Sequence, residues 1–491
     1  MSNHRADRPH GSGRPRRPSG PGYARDDRTG RAPRSGRPPS DPARQAAYEA
    51  IAAVHRDDAY ANLVLSDILR SMGLSGRDAA FATELTYGTL RALGTLDLIV
   101  ADAAGRDVAR IDPPARDALR LGAYQLLYTR VPAHAAVNQT VDLVRSVAPG
   151  AAGFANAVMR AITEQHSLDE WLEKLAPPYE EDPVGNLSVM HNHPQWIIRS
   201  FAEALGGDLD DTARLLIEDN QPPVVHLCAR PGRADAVELA DEVDGVPGAF
   251  SPYAVYLNGG SPRELAAIHD GRAHVQDEGS QLVAAALLAA EVEGRDTRWL
   301  DLCAGPGGKA GLLGSIAALR GAEVTAVEVA EHRARLVEQA TEGMPVTVLP
   351  MDGRSVGRDP DLPEESFDRV LVDAPCTGLG SLRRRPESRW RRTPADLPPL
   401  TRLQRELLVA ALRAVRPGGV VAYVTCSPHM VETQVTVTEG ARRSGVEVDF
   451  VDARPLLPPG MPGLGAGPTV QLWPHRHGTD AMFLAMLRRT A

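Results

Sequence analysis

The sequence predicts a multidomain chain made of an all-helical bundle, a small α+β module and a doubly wound α/β domain. Three observations carry this. The 491 residues are about three times a typical ~150-residue domain. Apolar residues recur at three- to four-residue spacing from Asp41 to about Gln165, which is the period of helices packed on one face. From Arg298 onward short β-type runs alternate with helical ones, the pattern of a parallel sheet covered by helices.

The elements follow in order. Residues 1–40 hold ten arginines against three aspartates among Gly, Pro and Ser, a composition that cannot bury enough apolar surface to fold. Such a tail is either an arm that neutralises nucleic-acid phosphates or a solvated extension. Asp41 and Pro42 are the cap and first residue of a helix carrying Tyr48, Ile51 and Val54. Ser75 and Asp78 open a second long helix with Phe81, Leu85, Leu90 and Leu93, and further helices run near 115–128, 134–147 and 153–165, making a bundle over 41–175. The Pro- and acid-rich stretch 176–186 reads as a linker. A helix begins after His191-Asn-His-Pro-Gln-Trp196; strands at 224–228 and 254–257 flank a helix at 234–244, so 176–275 is linker plus small module. Residues 276–491 form the α/β domain, with strands expected at 299–303, 323–328, 346–350, 369–373 and 420–425.

Composition bounds the function. With 43% hydrophobic and 24% charged residues the chain is an ordinary globular protein. Four cysteines in this length point to a reducing compartment. The longest apolar run, Leu282 to Ala290, is far short of the ~20 residues of a membrane span, and the basic N-terminus lacks the apolar stretch of a signal peptide. A cytoplasmic protein is expected. Net charge is −9 overall while the first 40 residues carry +7, so the remainder is acidic at −16. Lys174 and Lys309 are the only lysines.

The chemistry begins at the loop Asp301-Leu-Cys-Ala-Gly-Pro-Gly-Gly-Lys309, which follows a strand and opens a helix. Glycines there let backbone approach a ligand closely. A nicotinamide site, an S-adenosylmethionine site and a tight turn all fit that loop taken alone. Glu328 ends the next strand, where a carboxylate can accept from ribose hydroxyls, and Asp352 ends the third, where adenine is commonly contacted in S-adenosylmethionine enzymes. Asp373-Ala-Pro-Cys-Thr-Gly378 and Thr425-Cys-Ser427 each place a cysteine just past a strand's carboxyl end, facing the same crevice. A nicotinamide enzyme has no use for that pair. Cysteine at metal-ligand spacing is absent, so no metal is expected. Arg383-Arg-Arg-Pro-Glu-Ser-Arg-Trp-Arg-Arg392 follows the first of these motifs; arginines interleaved with Trp390 are the mixture that grips phosphates and stacks an unpaired base.

Together the glycine loop, Asp-Ala-Pro-Cys and Thr-Cys-Ser resemble the RNA 5-methylcytosine methyltransferases. The fragments Leu121-Gly-Ala-Tyr-Gln-Leu-Leu-Tyr-Thr-Arg130 and Val131-Pro-Ala-His-Ala-Ala-Val-Asn-Gln-Thr140 resemble the NusB-like RNA-binding domain and narrow the likeness to the RsmB (Sun/Fmu) branch, which methylates small-subunit ribosomal RNA. The resemblance runs from about Asp41 to the C-terminus, including Val275-Gln-Asp-Glu-Gly-Ser-Gln281 and Asp480-Ala-Met-Phe483. It departs at Gly232, where Asn is usual, and at Thr377, where Ser is common. DNA cytosine methyltransferases, which take their nucleophile from the Pro-Cys motif, resemble it less.

The resemblance implies a class I Rossmann-like methyltransferase domain and S-adenosylmethionine as cofactor. Its binding set would be Cys303, Ala304, Gly305, Pro306, Gly307, Gly308, Lys309, Glu328, Asp352 and Asp373. It also implies that Cys426 is the nucleophile, that Cys376 serves elimination, and that Asp373 holds the base. Arg383, Arg384, Arg385 and Trp390 are the expected RNA contacts, RNA the expected partner, and a monomer the expected state. The same chemistry on transfer RNA, or a non-catalytic NusB-like RNA-binding factor, remains open from the sequence.

Overall fold

The computed structural model describes residues 41–165 and 167–491; the expected basic tail lies outside the described residues. Among the described residues eight α-helices come first: α1 (Pro42–Arg56), α2 (Ala61–Ser71), α3 (Gly76–Arg91), α4 (Leu93–Ala104), α5 (Pro113–Tyr128), α6 (Ala133–Val147), α7 (Ala152–Gln165) and α8 (Leu168–Leu175). Asp41 caps α1 by accepting the Arg44 amide at 3.0 Å, with Pro42 in the first turn. Ile51, Leu85, Leu96, Leu119, Met159 and Trp171 meet in one core. The single long helix expected from Ser75 through Leu93 is instead two, because Ala92 leaves helical geometry and its amide closes α3 on the Gly88 carbonyl. Helix α2 was not foreseen; only Ala61 and Leu65 are buried on it, too few to mark a period.

The expected linker at 176–186 is in part a helix start. Asp182 caps α9 (Pro183–His191) through the Gly185 amide at 2.8 Å, and Pro183 occupies the first turn. Acid and proline are helix-opening residues as well as loop residues. With α10 (Gln195–Ala204) and α11 (Leu209–Asp219), this segment shares a core with Leu379, Leu382 and Trp473 of the C-terminal part. The small module is an antiparallel sheet in the order β2 (Gly245–Pro247), β3 (Ala254–Leu257), β1 (His226–Ala229), β4 (Ala273–Val275), with α12 (Ala236–Glu242) and α13 (Ala266–His269). Gly232 in its turn has φ +78°, the left-handed region that Gly and Asn tolerate best, which accounts for glycine where the family has Asn.

The C-terminal part runs α14 (Glu278–Ala289), β5 (Arg298–Asp301), α15 (Gly308–Arg320), β6 (Glu323–Val327), α16 (Glu331–Ala340) and β7 (Val346–Leu349). A two-stranded ribbon, β8 (Arg358–Asp359) with β9 (Leu362–Pro363), precedes β10 (Phe367–Asp373), α17 (Ser388–Arg391), α18 (Leu397–Ala414) and β11 (Val415–Thr425). Then come α19 (Gln434–Ser444), β12 (Val448–Val451), β13 (Val470–Gln471), α20 (Pro474–His477) and β14 (Phe483–Arg489). The main sheet is ordered β12-β14-β11-β10-β5-β6-β7, with β13 beside β14. Strands β11, β10, β5, β6 and β7 are parallel and β14 runs against them. The strand order reverses between β5 and β10, which opens a crevice at the carboxyl ends where ligands of such sheets bind.

Candidate active site

Five strand ends converge on this crevice. The loop leaving β5 carries Cys303, Ala304, Gly305, Pro306, Gly307, Gly308 and Lys309 into α15. The Gly305 amide donates to Glu328 Oε2 at 3.1 Å, joining the glycine loop to the end of β6. A Cβ at position 305 would lie 2.2 Å from that oxygen, so only glycine permits the approach. Glu328 is buried and also accepts the Ala330 amide at 3.0 Å. Asp352, past β7, caps a short turn and pairs with Arg354 at 2.6 Å at the protein surface. Cys303 is pushed well above the ordinary thiol range by burial and by Asp301 and Asp373, so it is a neutral lining group.

Asp301, the first residue of the glycine motif, carries no sequence signal of its own. It is fully buried, and neither carboxyl oxygen forms a hydrogen bond among the described residues. Burial, then the neighbouring Asp373, raise its pKa to about 7. An unpartnered buried acid beside a glycine cradle fits a positively charged ligand, such as the ammonium and sulfonium of S-adenosylmethionine. Lys309 does not point freely at a ligand: its Nζ is 2.8 Å from Asp373 Oδ2 and 3.4 Å from Ser280 Oγ. Burial works against its charge, but Asp373 outweighs that and holds it protonated.

Cys376 and Cys426 are brought together from the ends of neighbouring β10 and β11, Sγ to Sγ 3.5 Å. Both are half-buried. The thiol hydrogen bond from Cys376 lowers the pKa of Cys426 below the ordinary thiol value, and the same contact, with burial and Glu432, drives Cys376 well above it. The contact therefore favours the charge on Cys426 over Cys376.

Glu432 was missed altogether. It is fully buried in the turn before α19 and accepts the Thr377 amide at 2.8 Å, the Thr377 hydroxyl, the Ser427 hydroxyl at 2.6 Å and the Gln404 amide at 3.0 Å. The residue after each cysteine is thus fastened to one carboxylate. The Thr377 hydroxyl and amide both serve this carboxylate.

The arginine run is corrected by the structure. Arg383 is buried, with Nη1 2.8 Å from Glu218 of α11, and Arg384 pairs with Asp480. Arg389 is fully buried and donates to the carbonyls of Arg91 at 3.2 Å and Asp219 at 2.6 Å and to Asn220 Oδ1 at 2.6 Å. Arg385 and Arg391 stand over the Tyr60 ring at 5.2 and 5.4 Å, and Trp390 lies against Gly94. The run therefore fastens the bundle and α9–α11 to the segment that follows Cys376. Arg383 is engaged internally and leaves the RNA-facing set, since a buried, paired guanidinium cannot grip phosphates; Arg384 is paired with Asp480 but keeps exposed surface, as do Arg385 and Trp390.

Comparison with known proteins agrees with this geometry. The profile described as 16S rRNA methyltransferase RsmB/F matches residues 286–488, and the NusB family profile matches residues 41–164. A putative methyltransferase of Mycobacterium tuberculosis is 56% identical over 94% of this chain and 98% of its own length. Ribosomal RNA small subunit methyltransferase B of Escherichia fergusonii is 33% identical over 74% of this chain and 82% of its own. The crystal structure of PH0851 shares the fold with a TM-score of 0.76 at 24% identity, covering 91% of this chain and 98% of that one. The chain belongs to the 16S rRNA methyltransferase RsmB/F family and is an RNA methyltransferase whose methyl donor is S-adenosylmethionine.

Proposed function

We propose that the chain methylates C5 of a cytosine in small-subunit ribosomal RNA through a covalent bond from Cys426 to C6 of the base. The observation that carries this is the thiol pair at 3.5 Å beside a cofactor loop. C5 of cytosine is too weak a nucleophile to take a methyl group unaided. Addition of the Cys426 sulfur at C6 moves electron density to C5. Bound S-adenosylmethionine supplies the methyl group. The C5 proton must then leave so that the Cys426–C6 bond can break, and Cys376, the second thiol within reach, serves that elimination.

Asp373, ion-paired with Lys309, presents acceptor oxygens, which suits the exocyclic amine of cytosine and not the carbonyl of uracil. Gly305, Glu328, Asp301 and Asp352 would hold the cofactor, and the target base must be turned out of any helix to reach the thiols. The name of the Escherichia fergusonii relative supports the small ribosomal subunit as substrate.

Bisulfite sequencing of ribosomal and transfer RNA from a deletion strain tests the reading. Loss of protection at a 16S cytosine supports it, loss confined to transfer RNA moves the same chemistry to that substrate, and no loss at any cytosine overturns it.

A further inference from the structure

Three acids stand near the cysteine pair, and two already have cations. Asp373 pairs with Lys309 of α15, and Asp480, before β14, pairs with Arg384. Glu432 is different. Its partners are the amide and hydroxyl of Thr377, the hydroxyl of Ser427 and the amide of Gln404, all of which donate, as an ionised carboxylate requires. Among the described residues no lysine or arginine pairs with it. Gln404 also donates to the Pro375 carbonyl at 2.9 Å, and the Tyr423 hydroxyl donates to the Glu432 carbonyl at 2.8 Å, so the carboxylate is locked in place.

We propose that Glu432 is the positioning residue that divides labour between the two thiols: it fastens the residue following each cysteine and, having no counter-cation, keeps the shared proton on Cys376 and the negative charge on Cys426. The other charged groups near the pair do not all act in one sense: Lys309 and Arg384 also attract charge to Cys426. Arg385 favours charge on Cys426, where Asp373 and Asp480 oppose it, while Glu432 weighs on Cys376. The consequence drawn for methylation rests on the cytosine C5 reading; the placement of the proton does not.

The test is the pH dependence of initial alkylation rates of Cys376 and Cys426 by iodoacetamide in the full chain, resolved by peptide mass spectrometry. In the wild-type protein Cys426 should ionise at the lower pH and react at least ~10-fold faster near pH 7, the factor set by one pKa unit. Equal midpoints, or Cys376 ionising first, would overturn the proposal. Glu432→Gln keeps the shape and removes the charge, so the Cys376 midpoint should fall and the rate ratio narrow about tenfold. An unchanged ratio means that Glu432 only packs, and overturns it. Glu432→Asp keeps the charge and decides the matter should the Gln variant not fold: a ratio within about twofold of wild type supports the proposal, and collapse to unity overturns it. Alkylation needs neither RNA nor methyl donor, so this result stands apart from whether cytosine is the substrate.

Discussion

Cys376 Sγ and Cys426 Sγ lie 3.5 Å apart although 50 residues of chain separate them. Parallel pairing of β10 with β11, Asp373 opposite Val424, sets their separation. The contact between them lowers the pKa of Cys426 and raises that of Cys376. A thiolate is the nucleophile of a thiol pair, so the lowered pKa favours Cys426 for that role in the proposed reaction.

Variants of the pair should therefore behave differently. Cys376→Ala should form the Cys426–C6 adduct and accept a methyl group, but fail to release RNA, giving a labelled protein–RNA species that survives denaturing electrophoresis. Cys426→Ala and the double variant should give none. Trapping with Cys426→Ala instead would reverse the assignment while leaving the family intact.

The arginine run should split into two classes. Arg383→Ala removes the partner of Glu218, whose side chain is 33% exposed and can be hydrated, and should lower stability by about 1–2 kcal/mol through the lost charge-assisted hydrogen bond, with little change in the salt dependence of RNA affinity. Arg385→Ala should reduce the slope of log affinity against log salt by up to about one. Chemical denaturation and filter binding across a salt series check both; a flattened slope with Arg383→Ala and none with Arg385→Ala would restore the phosphate-gripping role to the buried residue.

Gly305→Ala would bring a methyl group to 2.2 Å from Glu328 Oε2, displacing the carboxylate from the loop. Cofactor affinity measured by calorimetry should fall about 10- to 100-fold, or about 1.4–3 kcal/mol, with the far-UV spectrum unchanged. Wild-type affinity in this variant would show that the contact between loop and strand end does not shape the cofactor site.

The parts legible in the sequence are those whose signal is local. Strand–helix alternation placed β5, β6, β7, β10 and β11, and that placement put Gly305, Cys376 and Cys426 at one edge. Glu432 could not be found this way, because its bond to Thr377 spans 55 residues and a lone acid in a turn carries no period. The same holds for Arg383, whose partner Glu218 is 165 residues away; a run of arginines reports charge but not whether water or a carboxylate receives it. Asp182 and Pro183 show the converse error, since residues typical of linkers also start helices.

Burial, with the neighbouring Asp373, pushes the Asp301 carboxyl up to about 7 in the protein without cofactor. The unfolded value is near 3.9, so the folded state keeps a proton that the unfolded state has already lost between about pH 4 and pH 7. Stability from this group is full below pH 4 and declines until pH 7, by up to about 4 kcal/mol if the whole shift is realised. Asp301→Asn cannot ionise and should escape that decline. Its melting temperature relative to wild type should therefore rise steadily from pH 4.5 to pH 7.5. Asp219, also near pKa 7 through burial, is common to both proteins and cancels in the difference. Saturating S-adenosylmethionine brings positive charge beside the carboxylate, so it should protect wild type more at pH 7.5 than the Asn variant. Melting curves of the two proteins that run parallel across this range, with equal protection by cofactor, would show that Asp301 neither titrates in the fold nor meets the ligand's charge.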